Sequence, residues 1–273
     1  MTTNQAIEIT AKKFPFQNYM MTGTKVRDVY YNIAHTVARF LKPGSKILDF
    51  GSGPCDKTAI LQTMGYDCTA YDDLQDDWHH IDGNRDKIIE FAKECKVNFK
   101  LATDRSIPFE KGSFDMVMLH SVIEHLHDSP RELLNSLMEL TTPEGLLFIT
   151  VPSAVNIRKR LAVLKGGTNL TRFEEYYWDD DPFRGHIREY VKDDLVQLSN
   201  NLNLEILELR SCDHMIENRL AGIKRPIYLF LTGIFRGWKD SWLLVAKKKP
   251  GWQPKRTLPK EDRLKLFPNR KWH

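Results

Sequence analysis

Short apolar runs alternate with amphipathic segments over the first 150 residues of the chain. Five runs have the length and composition of buried strands: 46–50, 67–71, 97–101, 114–119 and 146–151. Four segments carry apolar positions at helical spacing: 26–41, 56–64, 85–95 and 130–140. Alternation of this kind predicts strands that run parallel in a sheet covered by helices on both faces.

The pattern changes after the fifth predicted strand. Residues 153–190 are polar, aromatic and irregular, a long excursion of the kind that carries substrate contacts in such folds. Helical spacing returns at 191–202, and strands follow at 204–209 and 240–246, separated by an insertion at 211–239. Because these last strands lack a standard crossover, we expect an antiparallel pair at the sheet edge. The predicted fold class is α/β, with a doubly wound, mostly parallel seven-stranded sheet and an antiparallel edge strand.

Composition supports one large globular domain. The chain has 273 residues, of which 41% are hydrophobic and 28% charged. The uncharged run at 227–235 is too short to span a bilayer, and the N-terminus lacks the apolar core of a secretory signal. Four cysteines show neither paired nor zinc-like spacing, as is typical of a reducing compartment. We therefore expect a cytoplasmic protein without a transmembrane segment.

Positive charge is concentrated at the C-terminus. Residues 247–273 contain ten Lys or Arg and two Asp or Glu, so this segment carries +8 while the remainder carries −4. Four prolines and the absence of a hydrophobic period predict an extended basic tail on the surface, a candidate contact for an anionic partner. We expect removal of residues 250–273 to leave the fold unchanged.

A glycine-rich loop follows the first predicted strand. Gly51 and Gly53 allow a ligand to approach the backbone, and the next helix offers free N–H groups. A dinucleotide-binding loop has glycine at the position of Asp56, where a carboxylate repels a pyrophosphate. Asp49 and Asp72 flank the loop, so the pattern favours a ligand with hydroxyl groups and positive charge.

Three segments carry a family resemblance. Residues 47–54 resemble motif I of the class I S-adenosylmethionine (SAM)-dependent methyltransferases, and residues 107–117 and 122–128 resemble the stretch around their fourth strand. Agreement covers residues 25–151 and continues more loosely to 246. Cys55 departs from the family by replacing a common third glycine. The resemblance implies a Rossmann-like fold, methyltransferase activity and SAM as the cofactor.

The resemblance also implies how the loop meets the cofactor. Asp49 would orient the turn and lie near the ammonium group of SAM. Gly51, Ser52 and Gly53 would let the methionine moiety pass close to the backbone.

Later strand ends would hold the nucleoside part. By the same resemblance, Asp72 accepts hydrogen bonds from the ribose hydroxyls, with Asp73 as an alternative. Thr103 or Asp104 contacts adenine, and His120 lines the cofactor pocket.

The residues that end the 153–190 excursion are the predicted catalytic group. His186 titrates near neutral pH as a free side chain, which suits proton removal from a hydroxyl acceptor. Arg188 and Tyr190 alternate with Ile187 as one polar face, and the segment resembles an H-x-R-x-Y motif of small-molecule and glycan methyltransferases. The alternative is that these side chains tie the excursion to the core by hydrogen bonds.

Other polar and aromatic clusters admit two interpretations. Glu124 and His125 form either an acid–base pair or the start of a helix. At a helix start the negative charge of Glu is stabilised by the positive N-terminal end of the helix dipole. The acidic run at 179–181 is either a cation site or a solvated loop, and we predict no metal. Four aromatic residues suggest a wall for a sugar or ring substrate: Tyr176, Tyr177, Trp178 and Phe183.

Together these patterns predict a methyltransferase domain at 46–246 with substrate-capping insertions at 153–190 and 211–239. An N-terminal helical lid at 1–45 precedes it, and the basic tail follows. The predicted reaction is transfer of a methyl group to a small-molecule or glycan-type acceptor, at oxygen. Alternatives are N- or C-methylation of a small metabolite, lipid or quinone precursor, and a non-catalytic SAM-binding regulatory subunit. Nucleic acid is disfavoured because the fourth strand lacks the motif of exocyclic-amine methyltransferases; a homodimer is a candidate assembly.

Overall fold

Seven strands form one sheet in the computed structural model, which describes residues 1–16, 19–20, 27–104, 106–214, 220, 222 and 224–267. The strands are β1 Lys46–Phe50, β2 Asp67–Asp72, β3 Asn98–Leu101, β4 Phe114–His120, β5 Thr141–Pro152, β6 Leu204–Cys212 and β7 Ser241–Lys248. Their order across the sheet is β3-β2-β1-β4-β5-β7-β6.

Strand direction follows the prediction. The first five strands pair parallel, while β7 pairs antiparallel with both β5 and β6. The edge strand β6 therefore has an antiparallel neighbour, which confirms the predicted edge pair. Strand order reverses between β1 and β4, and parallel sheets bind ligands at the carboxyl ends of strands beside such a switch.

Helices cover both faces of the sheet. They are α1 Thr3–Lys13, α2 Arg27–Phe40, α3 Asp56–Thr63, α4 Asn84–Glu94, α5 Arg131–Leu140, α6 Ile157–Leu164, α7 Phe173–Trp178, α8 Lys192–Asn201, α9 Lys224–Ile234 and α10 Lys260–Leu266. The apolar run at 227–231 lies within α9. None of the helices in the described ranges is long and apolar enough to cross a bilayer.

Side-chain alternation along the strands builds a core on each face. Ile47 of β1 packs with residues of α1, α2 and α3, while the next residue, Leu48, packs on the opposite face with residues of α5 and α8. Both side chains are fully buried. The N-terminal helices are therefore part of the packed core, and they form one wall of the site described below.

The basic tail packs against the rest of the chain. β7 extends to Lys248, residues 249–259 contain neither helix nor strand, and α10 follows. Asn135 of α5 exchanges hydrogen bonds with the backbone of Lys255. Arg256 forms ion pairs with Glu132 at 2.8 Å and Glu139 at 2.7 Å. One of the tail cations is thus neutralised by the chain's own acidic side chains.

Candidate functional site

The glycine loop is held in one conformation by the end of β2. Gly51 (φ +73°) donates its N–H to the Tyr71 carbonyl at 2.8 Å, and Gly53 (φ +52°) donates to Asp72 Oδ2 at 2.7 Å. A Cβ atom on Gly51 would lie 2.5 Å from Val122 Cγ2, whereas one on Gly53 would have no heavy atom within 4 Å. Gly51 therefore allows close packing, and Gly53 leaves space for a ligand.

Asp49 lies beneath the loop. It is buried, and its Oδ2 accepts a hydrogen bond from Thr58 Oγ1 at 2.6 Å while Oδ1 has no partner among the described residues. Burial raises the pKa of Asp49 to about 6. The Ser52 hydroxyl is also buried, and no described residue hydrogen-bonds to it. The loop thus contains two polar groups with unused hydrogen-bonding capacity.

A cavity of about 620 Å³ lies against the loop; we call it the loop cavity. Carboxylates at or just after the ends of two strands, β2 and β3, line it: Asp72, Asp73, Asp76 and Asp104. Burial raises the pKa of Asp72, and hydrogen bonds from Ser106 lower the pKa of Asp104. Thr103 is exposed and does not line the cavity, so Asp104 is the one of the two candidates placed there.

His120 closes the inner end of the loop cavity. Its ring is buried, with Nδ1 2.9 Å from Thr150 Oγ1, and Nε2 has no hydrogen-bond partner in the described part of the chain. Burial holds its pKa well below the ordinary value, so the ring is neutral. A neutral imidazole here adds no positive charge to a cavity with acidic walls.

A further wall comes from α2, which the sequence pattern did not indicate as part of a site. Tyr30 donates its hydroxyl to Asp56 Oδ2 at 2.7 Å, and Lys57 Nζ lies 3.0 Å from Asp56 Oδ1. All three side chains line the loop cavity. The negative charge of Asp56 is therefore compensated within the protein. Tyr30 follows the apolar period of its helix, so no sequence signal separates it from the core.

The end of the 153–190 excursion covers the loop cavity. Phe183 and Arg184 line it, and two histidines hold their carbonyls. His125 Nδ1 lies 2.7 Å from the Arg184 oxygen, and His127 Nε2 lies 2.8 Å from the Phe183 oxygen. Arg184 also pairs with Asp76 at 3.3 Å.

A second cavity of about 910 Å³ is lined by α6 and α9; we call it the helix cavity. Its apolar lining residues are Ile157, Leu161, Ala162, Leu220, Ile227, Tyr228 and Leu231. Cations also contribute to the lining: Arg158, Lys159, Lys165 and Lys224. Ser121 and His214 line both cavities, so the two spaces are neighbours at these residues. His214 stood in a segment with no recognisable motif and was not predicted.

His186 lines the helix cavity. Its Nδ1 lies 2.8 Å from Glu189 Oε1, and Glu189 in turn pairs with Lys159. Burial lowers the pKa of His186 to about 4, with smaller contributions from His125 and Lys159. The ring is therefore neutral near pH 7.

The structure does not bring the other two predicted catalytic residues to His186. Arg188 is exposed, pairs with Asp194 at 3.1 Å and lines neither cavity. Tyr190 is buried and donates its hydroxyl to the Ile123 carbonyl at 3.2 Å. Their contacts match the alternative interpretation, in which they tie the excursion to the core.

Glu124 is buried beside the helix cavity and does not begin an α-helix. It lies in a short 3₁₀ turn, Ile123–His125, is 0% exposed and lines the helix cavity. Neither carboxylate oxygen accepts a hydrogen bond of normal geometry from the described residues, and burial raises the pKa to about 7 against smaller lowering effects of Ser121 and the Glu124 backbone. A buried carboxylate without a cationic partner is costly, which points to a functional reason for its presence.

The aromatic and acidic clusters of the excursion lie elsewhere. Tyr176, Tyr177 and Trp178 are exposed and line neither cavity; of the four predicted aromatic residues only Phe183 lines the loop cavity. The acidic run at 179–181 is exposed and lines neither cavity. The side chains expected to form a sugar-binding wall are thus not assembled at either cavity.

Comparisons with known proteins agree with this architecture. A family model described as a methyltransferase domain matches residues 26–209, more than half of the chain. Demethylmenaquinone methyltransferase of Corynebacterium glutamicum is 28% identical over 109 residues, which is 40% of this chain and 42% of that protein. The match thus spans less than half the length of this curated relative.

Solved structures share the fold at low sequence identity. A SAM-dependent methyltransferase from Aquifex aeolicus has a TM-score of 0.50 and 11% identity, covering 91% of this chain and 100% of its own. The 1,6-didemethyltoxoflavin-N1-methyltransferase of Burkholderia thailandensis, solved with bound 1,6-didemethyltoxoflavin and S-adenosylhomocysteine, has a TM-score of 0.52 and 13% identity, covering 90% of this chain and 88% of its own.

The lining of the loop cavity suits SAM. Open space beside Gly53 admits a ligand next to the backbone, and the Ser52 hydroxyl is free to bind it. Asp72 and Asp73 can accept from ribose hydroxyls and Asp104 from an adenine amine, while their charges complement a sulfonium. With the matched domain and the fold, these residues place the chain in the class I SAM-dependent methyltransferase family, with SAM as its cofactor.

Proposed function

We propose that the protein methylates a hydroxyl oxygen of a small molecule with an apolar body, and that this acceptor binds in the helix cavity. The proposal is based on one observation: Ser121 and His214 line both cavities. A methyl group presented from the loop cavity at these residues faces the helix cavity directly.

The protein's main contribution is alignment. SAM supplies an electrophilic methyl group and a leaving group that departs uncharged. The chain must fix the direction of approach and exclude water, which accounts for much of the rate enhancement in reactions of this type. Hydrogen bonds from His125 and His127 to the backbone of residues 183–184 hold this segment over the loop cavity. The segment thereby helps to align the reactants and to exclude water.

The lining of the helix cavity supports an acceptor with an apolar body over a glycan. Most of the contacts offered by α6 and α9 are aliphatic, and hydroxyl-rich sugars need polar partners instead. Lys165 suits an acidic or electron-rich group on the acceptor. The name of the Corynebacterium relative, demethylmenaquinone methyltransferase, agrees with an apolar ring-bearing acceptor.

Oxygen is the favoured atom because polar groups gather where the cavities meet. Glu124 and His186 both line the helix cavity next to this junction. A hydroxyl acceptor loses a proton as it takes the methyl group, and polar side chains at the reacting end assist that step.

A matched pair on α6 tests the acceptor site. Leu161 and Val163 are 50% and 51% exposed, but only Leu161 lines the helix cavity. With labelled SAM and catechol bearing an eight-carbon chain, Leu161→Ser should raise KM about tenfold, because it removes apolar contact area. Val163→Ser should leave KM unchanged, and S-adenosylhomocysteine affinity should be the same in both variants.

The product identifies the methylated atom. An aryl methyl ether, detected by NMR of the isolated product, supports O-methylation, and a C-methyl product contradicts it. Equal KM values for the two α6 variants would show that the acceptor binds elsewhere. Absence of transfer to the alkyl catechol, to catechol and to a hydroxynaphthoquinone would favour the non-catalytic SAM-binding alternative.

A further inference from the structure

Three potential metal ligands converge beside the junction of the cavities: Glu124, His125 and His186. One ligand atom of each lies within 4.8 Å of the others. Two of these residues are adjacent in sequence, and the third comes from the end of the excursion, about 60 residues later. Backbone hydrogen bonds explain the convergence, because the Glu124 carbonyl accepts from the N–H groups of Ile187 at 2.8 Å and Arg188 at 3.2 Å.

The carboxylate in this cluster has no charged partner among the described residues. Glu124 is 0% exposed, and neither of its oxygens accepts a hydrogen bond of normal geometry from those residues. The Ser121 side chain and the backbone N–H of Glu124 lie close enough to lower its pKa, but burial outweighs them. A bound cation would provide the missing charge.

Both histidines are oriented as metal ligands usually are. His125 Nδ1 faces the Arg184 carbonyl at 2.7 Å, and His186 Nδ1 faces the Glu189 carboxylate at 2.8 Å. These acceptors favour a proton on Nδ1 and leave the Nε2 lone pair of each ring for a metal. Carbonyl or carboxylate partners of this kind fix the tautomer and orientation of metal-bound histidines.

We propose that Glu124, His125 and His186 bind one divalent transition-metal ion, of which Zn²⁺ is the reference case. Two imidazoles and a carboxylate suit such ions better than Mg²⁺, which prefers oxygen ligands. Three protein ligands leave a coordination position open toward the helix cavity. Tetrahedral zinc separates its ligand atoms by about 3.3 Å, so the side chains have to approach by about 1.5 Å at most.

The role of the ion rests on the proposed function, although its binding does not. An acceptor hydroxyl coordinated at the open position loses its proton to solvent more readily, as metal-bound water does. Its oxygen then forms a bond to the methyl carbon while the carbon–sulfur bond of SAM breaks, and the sulfide leaves with the electron pair. Methyl ether, sulfide and one released proton balance the reaction.

Metal binding by the chelator-treated protein tests the proposal without an acceptor. Zn²⁺ is titrated by calorimetry, and Co²⁺ is followed by its visible absorption, which reports ligand geometry. We expect one ion per chain in the wild type and an affinity reduced about 100-fold or more in Glu124→Gln and His186→Asn. His127→Asn is the matched control, because it breaks a similar tether to the excursion without removing a proposed ligand.

Folding is checked by thermal unfolding without metal. Glu124→Gln should not lower the apo melting temperature, since a neutral amide avoids the cost of burying a carboxylate and can still accept a hydrogen bond from Ser121. A wild type that binds neither ion, or Glu124→Gln with wild-type Zn²⁺ affinity, overturns the proposal. Loss of binding in His127→Asn with intact folding does so as well. Methyl transfer by the metal-free protein would contradict the role of the ion and leave the proposed methyltransferase reaction standing.

Discussion

At the scale of single residues, the two loop glycines have different physical functions. Both have positive φ, which glycine adopts without strain. Gly51 also lies against Val122, in the segment that leads to Glu124. The packing of this one glycine therefore connects the loop to the segment bearing the proposed metal ligands.

Substitution of Gly51 by Ala should separate crowding from backbone strain. The new Cβ clashes with Val122, and the alanine has to adopt the left-handed backbone conformation of Gly51. We therefore expect the unfolding free energy to fall by at least about 2 kcal/mol. S-adenosylhomocysteine binding should weaken about tenfold. Gly112→Ala is the control, because Gly112 has φ +71° and no heavy atom within 4 Å of an added Cβ. It should lose about 1 kcal/mol and keep its affinity. Urea unfolding and calorimetry measure both quantities, and equal effects would exclude crowding as the cause.

At the scale of elements, the C-terminal tail has a structural function that its composition conceals. Trp252 Nε1 donates to the Leu202 carbonyl at 2.7 Å, and Arg256 pairs with two glutamates of α5. The expectation that removal of 250–273 leaves the fold unchanged does not agree with these contacts. Proline content and charge describe the tail alone, whereas its stability depends on partners about 120 residues earlier.

Asn135 provides a single-site test of this attachment. It is buried, exchanges two hydrogen bonds with the Lys255 backbone and donates to the Arg131 carbonyl. Asn135→Ala should lower the unfolding free energy by about 1–3 kcal/mol, because it leaves partly buried backbone groups of residue 255 without their partners. It should also accelerate tryptic cleavage after Lys255. Asn200→Ala, at an exposed position of α8, should change neither; unchanged proteolysis in Asn135→Ala would contradict the attachment.

At the scale of the whole molecule, burying the carboxylates of the site lowers the unfolding free energy. Strand β1 and the end of β2 place carboxylates in buried surroundings, and Asp49 is the clearest case. Its folded-state pKa of about 6 lies above the ordinary value of 3.8. The folded protein therefore binds a proton that the unfolded chain releases between these pH values, so the contribution of Asp49 to stability falls as pH rises.

Asp49→Asn removes this pH dependence. Above pH 6 the variant should be more stable than the wild type by about 3 kcal/mol, the free energy of a shift of about two units. The difference should shrink toward pH 4 and disappear below pH 3.8, where wild-type Asp49 is protonated in both states. Urea unfolding at pH 4, 5 and 7 without cofactor measures it, and Asp67→Asn, an exposed position on β2, serves as the control. A constant difference across pH would refute the buried-carboxylate explanation.

The sequence by itself determined the sheet and the identity of the cofactor loop. Apolar periodicity depends on residues close together in the chain, so six of the seven strands were predicted within a few residues of their observed limits, while β5 begins at Thr141, five residues earlier than expected. The loop at 51–53 and the acidic strand ends are likewise local patterns. Asp104 was separated from Thr103 only by the folded geometry, because a shift of one residue decides which side chain faces a cavity.

Tertiary structure alone decided the rest of the site. Contacts between distant segments bring Glu124 to His186 and place Tyr30 in the wall of the loop cavity. Such contacts also hold Arg188 and Tyr190 away from both cavities. The helix cavity exists because α6 and α9 lie beside each other, although neither helix carries a motif. Burial also sets the charge states, since desolvation raises the pKa of Glu124 and lowers that of His186. A sequence alone gives only the ordinary pKa values of these side chains.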